Sequence, residues 1–193
     1  MCCDNISLNQ KPLETDNFNF EQNYFELFDL PVSCEIDAAK LREKFMDLQR
    51  QYHPDRFASA TDTQRRRAVQ IAAHVNGAHQ TLETPLKRAE YCLQLAGLST
   101  DSETDAKMDP MFLMQQMELR ESLEEVSSAS DPYNALDSAR DDIDGQIQTI
   151  QADVAGFIAL KKYDEARESI RRWQFLEKLA EEANSIEARL DDA

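Results

Sequence analysis

Two long runs of apolar residues, each advancing in steps of three and four, do most to limit what this chain can become. Leu136, Ala139, Ile143, Ile147, Ile150, Val154 and Phe157 make the first run, and Ile170, Trp173, Leu176, Leu179, Ala183, Ile186 and Leu190 the second. That spacing brings each side chain back to one face of an α-helix, whereas a strand, with its period of two, scatters it over both faces. The stretch "ALKKYDEA" (159–166) turns the chain between them. A further helix starting near Pro110 carries its own stripe of Phe112, Leu119, Leu123 and Val126. Three such helices with short connections predict an antiparallel three-helix bundle over residues 110–193.

The N-terminal half reads differently but is also helical. "NYFELFDLP" (23–31) is a short apolar turn of helix stopped by Pro31. Ser33 and Asp37 offer capping oxygens to the helix that follows, in which Leu41, Phe45, Leu48 and Tyr52 line one face up to Pro54. The next helix begins near Thr63 and repeats the stripe with Ile71, Val75, Ala78 and Leu82. Thr84-Pro85 then reads as an N-cap and first helical position, and Gly97 as the residue just past that helix's end. Four glycines and six prolines in 193 residues, with no strand pattern, complete an all-α prediction. The domains expected are a helical hairpin with short flanking helices over 23–96 and the bundle over 110–193. A polar, acidic linker over 97–109 separates them. Residues 1–22, rich in Asn, Asp and Gln, read as a disordered extension.

Charge narrows the class of partner. A formal net charge of −16 makes nucleic acid an unsuitable partner for the whole molecule. Residues 38–94 nevertheless hold ten Lys/Arg against six Asp/Glu, so a locally basic module sits in an acidic chain and suits an acidic partner surface. Cys2, Cys3, Cys34 and Cys92 include no CxxC pair and read as reduced thiols of a cytoplasmic protein, without metal. The N-terminus lacks the pattern of a signal peptide, and no segment is apolar for long enough to span a membrane.

The stretch "QRQYHPDRFAS" (49–59) places His53, Pro54 and Asp55 at an enforced turn, since proline can neither continue the helix nor leave its predecessor helical. His53 and Asp55 have the types of an acid and a base, but no nucleophile, orienting partner or enclosed pocket accompanies them. One His and one carboxylate are too few for a metal; His74 and His79 lie on another helix without a matching pattern. A solvated turn with a capping Asp and a surface read by another protein both remain open on the tripeptide alone.

"YHPDRF" after "LREKFMDLQRQ" and before "VNGAHQTLETPLKRAEYCL" resembles a J-domain. The family's run after the tripeptide is matched by Asn76, Ala78, Leu82, Pro85, Arg88, Ala89 and Tyr91. The resemblance implies that His53, Pro54 and Asp55 dock on a DnaK-type chaperone and stimulate its ATPase. Arg42, Lys44, Arg50 and Arg56 would then steer the encounter. Gln51 and Asp47 stand where general J-proteins are often basic, which favours a specialised chaperone.

The second half, with "DPMFLMQQMELRESLEEV" and "ESIRRWQFLEKL", is similar to the HscB family of iron–sulfur cluster co-chaperones. That resemblance covers about residues 23–193 and implies two partners, an HscA-type chaperone ATPase and an IscU-type scaffold protein. It implies no cofactor and no catalytic residue. The scaffold-binding positions would be Leu113, Met114, Met117, Glu118, Glu121 and Phe175. A general J-protein serving other clients shares the same loop and is the alternative.

The residues support a patch independently. At 100° per residue, Leu113, Met114 and Met117 centre roughly 150° from the stripe of Phe112, Leu119, Leu123 and Val126. Apolar side chains on the outer face of a bundle, two of them adaptable methionines, suit a binding surface. Phe175 lies about 100° from Leu176, at the edge of its helix's stripe, while Trp173 lies on the stripe and reads as structural.

Overall fold

Where helices start and stop follows the capping chemistry closely. In the computed structural model, which describes residue 15 and residues 17–99 and 110–192, α1 (Tyr24–Leu27) opens with a capping box. The Asn23 side chain accepts from the Glu26 N–H, and the Glu26 carboxylate from the Asn23 N–H. Asp37 caps α2 (Ala38–Tyr52) by accepting from the Lys40 N–H at 3.0 Å. Pro54 stops α2 and begins a 3-10 turn (Pro54–Phe57), after which α3 (Asp62–Glu83) returns alongside α2.

These elements make the first of two compact units, within residues 15–31 and 36–83. The predicted α3 stripe of Ile71, Val75, Ala78 and Leu82 is wholly buried, with Phe25, Phe28, Leu41, Tyr52 and Phe57. Phe45, half-buried, stacks on the His79 ring at 3.9 Å between centroids. Gln49 Nε2 donates to Asn76 Oδ1 at 2.5 Å and ties α2 to α3.

Within the extension expected to be disordered through residue 22, Thr15 and Phe18 are buried instead. Phe18 is buried, with its ring edge-on to Tyr52 and His74. Arg67 Nε donates to the Thr15 carbonyl at 2.8 Å. Two aromatics, Phe18 and Phe20, supply apolar area that the polar composition of the segment conceals. Residues 1–14 and 16 lie outside the described residues.

The second unit comprises residues 32–35 and the chain from Thr84 onward. It contains α4 (Pro85–Leu95), α5 (Pro110–Glu125), a 3-10 turn (Val126–Ser128), α6 (Pro132–Ala159) and α7 (Tyr163–Asp191). Asp131 caps α6 through the Asn134 N–H, with Pro132 at the first helical position. A turn through Lys161, at φ 57°, folds α7 back along α6, and their stripes meet in the core as Leu136, Ile143, Val154, Ile170, Trp173, Leu176 and Leu179. Arg140 bridges the two helices with a bidentate pair to Glu187 at 2.9 and 2.7 Å. Gly97, at φ 82°, ends α4 in a Schellman arrangement, with Leu98 N–H donating to the Leu93 carbonyl and Gly97 N–H to that of Gln94.

The expected three-helix bundle of α5, α6 and α7 is present, with α4 added to it. Ala89 and Leu93 enter the same core, and Gln174 Nε2 donates to Glu90 Oε1 at 2.6 Å. The compact units therefore divide at Glu83/Thr84, whereas the sequence placed residues 85–96 with the N-terminal hairpin. An amphipathic stripe states that a helix has a buried face but not which core receives it. Of the segment expected to be a linker, residues 100–109 lie outside the described residues.

Candidate functional site

His53 ends α2 and caps the 3-10 turn: its backbone is extended, at φ −58° and ψ 129°, as a following proline requires. Its Nδ1 accepts from the Asp55 N–H at 3.3 Å, which leaves Nε2 as the ring's donor. The Asp55 carboxylate lies 3.7 Å from the same nitrogen. Both side chains stand in solvent, 55% and 91% exposed. The turn is pinned from inside by Phe57, which is buried, and from outside by Arg56. Arg56 Nη1 donates to the carbonyls of Arg50 and Gln51, at 2.9 and 3.4 Å, and so covers acceptors that the last turn of α2 leaves open.

Of the four cations expected to steer a partner, three are engaged within their own unit. Besides Arg56, Lys44 Nζ lies 2.7 Å from Asp29 Oδ2, and Arg50 lies 2.5 Å from Asp47 Oδ1. Arg42 is exposed and pairs with no described residue. Asp29 sits in a left-handed turn, at φ 53°, where Lys40 Nζ donates to its carbonyl at 2.6 Å. The hydrogen bond from Lys44, then its charge, holds the Asp29 carboxyl below its ordinary value. Sequence reasoning missed this pair because turn backbone, not periodicity, brings Asp29 to α2. Among the described residues no group of three or more His, Cys, Asp or Glu side chains could hold a metal ion.

On α5 of the second unit, Phe112 and Leu123 are buried while Leu113, Met114 and Met117 are 44, 58 and 64% exposed. These three therefore form an apolar patch on the side turned from the core, with Glu118 and Glu121 exposed on the same helix. Met111, also exposed, lies about 60° beyond Met114 and extends the patch, which the sequence reading had not included. Phe175 is half-buried. Its ring meets that of Phe112 edge-on at 6.0 Å, and Arg172 covers Phe112 at 5.3 Å. It serves the rim of the core as well as the surface. Trp173 is buried, as expected, and donates from Nε1 to Glu177 Oε1.

A family model described as the HSCB C-terminal oligomerisation domain matches residues 108–184. A co-chaperone protein HscB homolog of Vibrio cholerae is 43% identical over 168 residues, which are 87% of this chain and 98% of that protein. The solved structure of chaperone HscB from Vibrio cholerae matches with a TM-score of 0.80 at 42% identity, covering 88% of this chain and 99% of that one. Human co-chaperone protein HscB gives 0.82 at 28% identity, covering 88% and 84%. A helical hairpin closed by an exposed His-Pro-Asp turn and joined to a separate helical bundle defines a J-domain co-chaperone. The bundle and the relatives settle which kind: the chain belongs to the HscB family.

Proposed function

We propose that the protein stimulates the ATPase of an HscA-type chaperone through His53, Pro54 and Asp55. In the same reading it delivers an IscU-type iron–sulfur scaffold held on Leu113, Met114, Met117, Glu118, Glu121 and Phe175. It acts in the cytoplasm by positioning two partners and is not itself the catalyst. The observation that carries this reading is the His-Pro-Asp turn: its backbone is fixed by Pro54, Arg56 and Phe57, yet among the described residues its two polar side chains pair only within the turn itself. Fixed, outward hydrogen-bonding groups are what a partner can read without an ordering penalty. Arg42 pairs with no partner among the described residues and is available for steering, while Lys44, Arg50 and Arg56 combine any such role with local pairing. The exposed patch on α5 supports a client of complementary apolar surface.

The test is single-turnover ATP hydrolysis by an HscA-type chaperone, with wild-type protein or His53→Gln. Because His53 is exposed, helical circular dichroism is expected to be unchanged and stimulation to fall by more than tenfold. A folded variant that keeps over half of the stimulation would sink the reading. Stimulation that survives in the wild type but gains nothing from added scaffold would point to a general J-protein serving other clients.

A further inference from the structure

Cys34 and Cys92 are both free and line one cavity of about 350 Å³, walled by Val32, Ala155, Ile158 and Tyr163. They come from places 58 residues apart, the short 32–35 segment and the last turn of α4, and their side chains face the same cavity. Arg88, one turn before Cys92, anchors the segment by donating from Nε to the Cys34 carbonyl at 2.7 Å. Cys92 is buried, while Cys34 is half-buried. Thus a half-buried thiol and a buried one meet at one cavity.

We propose that this pair is a modification site, a dithiol that hydrogen peroxide converts reversibly to a Cys34–Cys92 disulfide. Cys34 is the attacking sulfur. The Cys92 thiol donates to it and the Arg88 charge lies near it, which together lower its pKa, against the opposing effect of burial. Cys92 keeps its proton, held by that same hydrogen bond and by burial. In the first step the Cys34 thiolate attacks one peroxide oxygen, the O–O bond breaks, and hydroxide leaves to take up the proton that Cys34 had released. Cys34 is then a sulfenic acid. In the second step Cys92 Sγ attacks that sulfur, and the sulfenic hydroxyl departs with the Cys92 proton as water. The two sulfurs lose two electrons, and the peroxide becomes two waters. A dithiol reductant reverses the change. The bond fastens residues 32–35 covalently to α4.

The test uses the reduced full-length chain and the Cys2→Ser/Cys3→Ser variant, each given one equivalent of hydrogen peroxide. Remaining thiols are alkylated, and tryptic peptides are weighed before and after dithiothreitol. The expected result, in both proteins, is a majority of chains with the Cys34 peptide joined to the Cys92 peptide, released by dithiothreitol. In Cys92→Ala, which cannot resolve the intermediate, dimedone is expected to label Cys34. The proposal is overturned if the linked peptide is a minority product in the Cys2→Ser/Cys3→Ser variant. It is equally overturned if Cys34 alkylates after peroxide as fully as before, or if dimedone leaves it unlabelled.

Discussion

Replacing Leu113, Met114 and Met117 together by alanine separates a binding patch from a piece of core, because the two readings predict opposite outcomes. These residues are 44, 58 and 64% exposed, so truncation removes little area from the interior and leaves no enclosed cavity. Exposed substitutions of this kind change stability by about 0.5 kcal/mol or less each, and alanine's better helix propensity offsets part of that. The triple variant is therefore expected to lose no more than about 1.5 kcal/mol. Leu123 on the same helix is 1% exposed, and Leu123→Ala alone is expected to cost about 2–5 kcal/mol. One core truncation should outweigh three on the patch. Binding behaves the other way: clustered apolar anchors worth about 1 kcal/mol or more apiece amount to roughly 3 kcal/mol, a loss of more than a hundredfold in Kd. The measurements are urea denaturation of both variants and calorimetric titration with an IscU-type scaffold. Leaving Phe175 unchanged keeps the readouts distinct, since its ring also packs on Phe112. A triple variant less stable than Leu123→Ala would show that the patch is core. A stable one that binds within threefold of wild type would show that the scaffold docks elsewhere.

ATPase stimulation is expected to weaken as ionic strength rises, since steering is screened over about 8–10 Å at ordinary salt. Arg42→Glu is expected to reduce it more than Arg50→Glu, because Asp47 already partners Arg50; equal effects, or none, would remove Arg42 from the encounter. The Asp29–Lys44 pair predicts a pH dependence confined to acid. Asp29 has a folded pKa below its unfolded value, so the pair's contribution is full above the unfolded carboxylate range and is lost as pH falls through the folded value. Melting curves of wild type and Asp29→Asn are thus expected to differ at neutral pH and to converge in strong acid; a difference that persists unchanged there would reject the linkage.

Much of this was legible because helix stripes and caps are local. Ile71, Val75, Ala78 and Leu82 could be named as core from spacing alone, and Asp131-Pro132 marked the start of α6 to the residue. The exposed face of α5 was legible for the same reason: angular position on a helix is arithmetic, and Leu113, Met114 and Met117 fall where it puts them. What escaped depends on residues distant in sequence. Nothing in the sequence of α4 announces that Ala89 and Leu93 join Ile170 and Leu176 in one core. Nor does composition reveal that Phe18 has Tyr52 and His74 to rest on. The local pairing of the cationic face escaped for a related reason. Formal charge counts Lys44 and Arg50 as available, and only the folded chain brings Asp29 to the one and fixes Asp47 on the other.

The division of the chain between its units sets an order of events during synthesis. Residues 15–31 and 36–83 contain every element of the first unit, so it can pack as soon as α3 has left the ribosome. Residues 32–35 cannot join in, because their partners lie in α4 and beyond. At ordinary elongation rates of about 5–20 residues per second, the Cys34 carbonyl emerges roughly 3–10 s before the guanidinium of Arg88 that will bind it. For that interval the segment lacks the guanidinium to which its Cys34 carbonyl will be bound. When α4 arrives, residues 32–35 are already tethered at both ends, so the second unit begins its assembly on a piece of chain that the first has delivered.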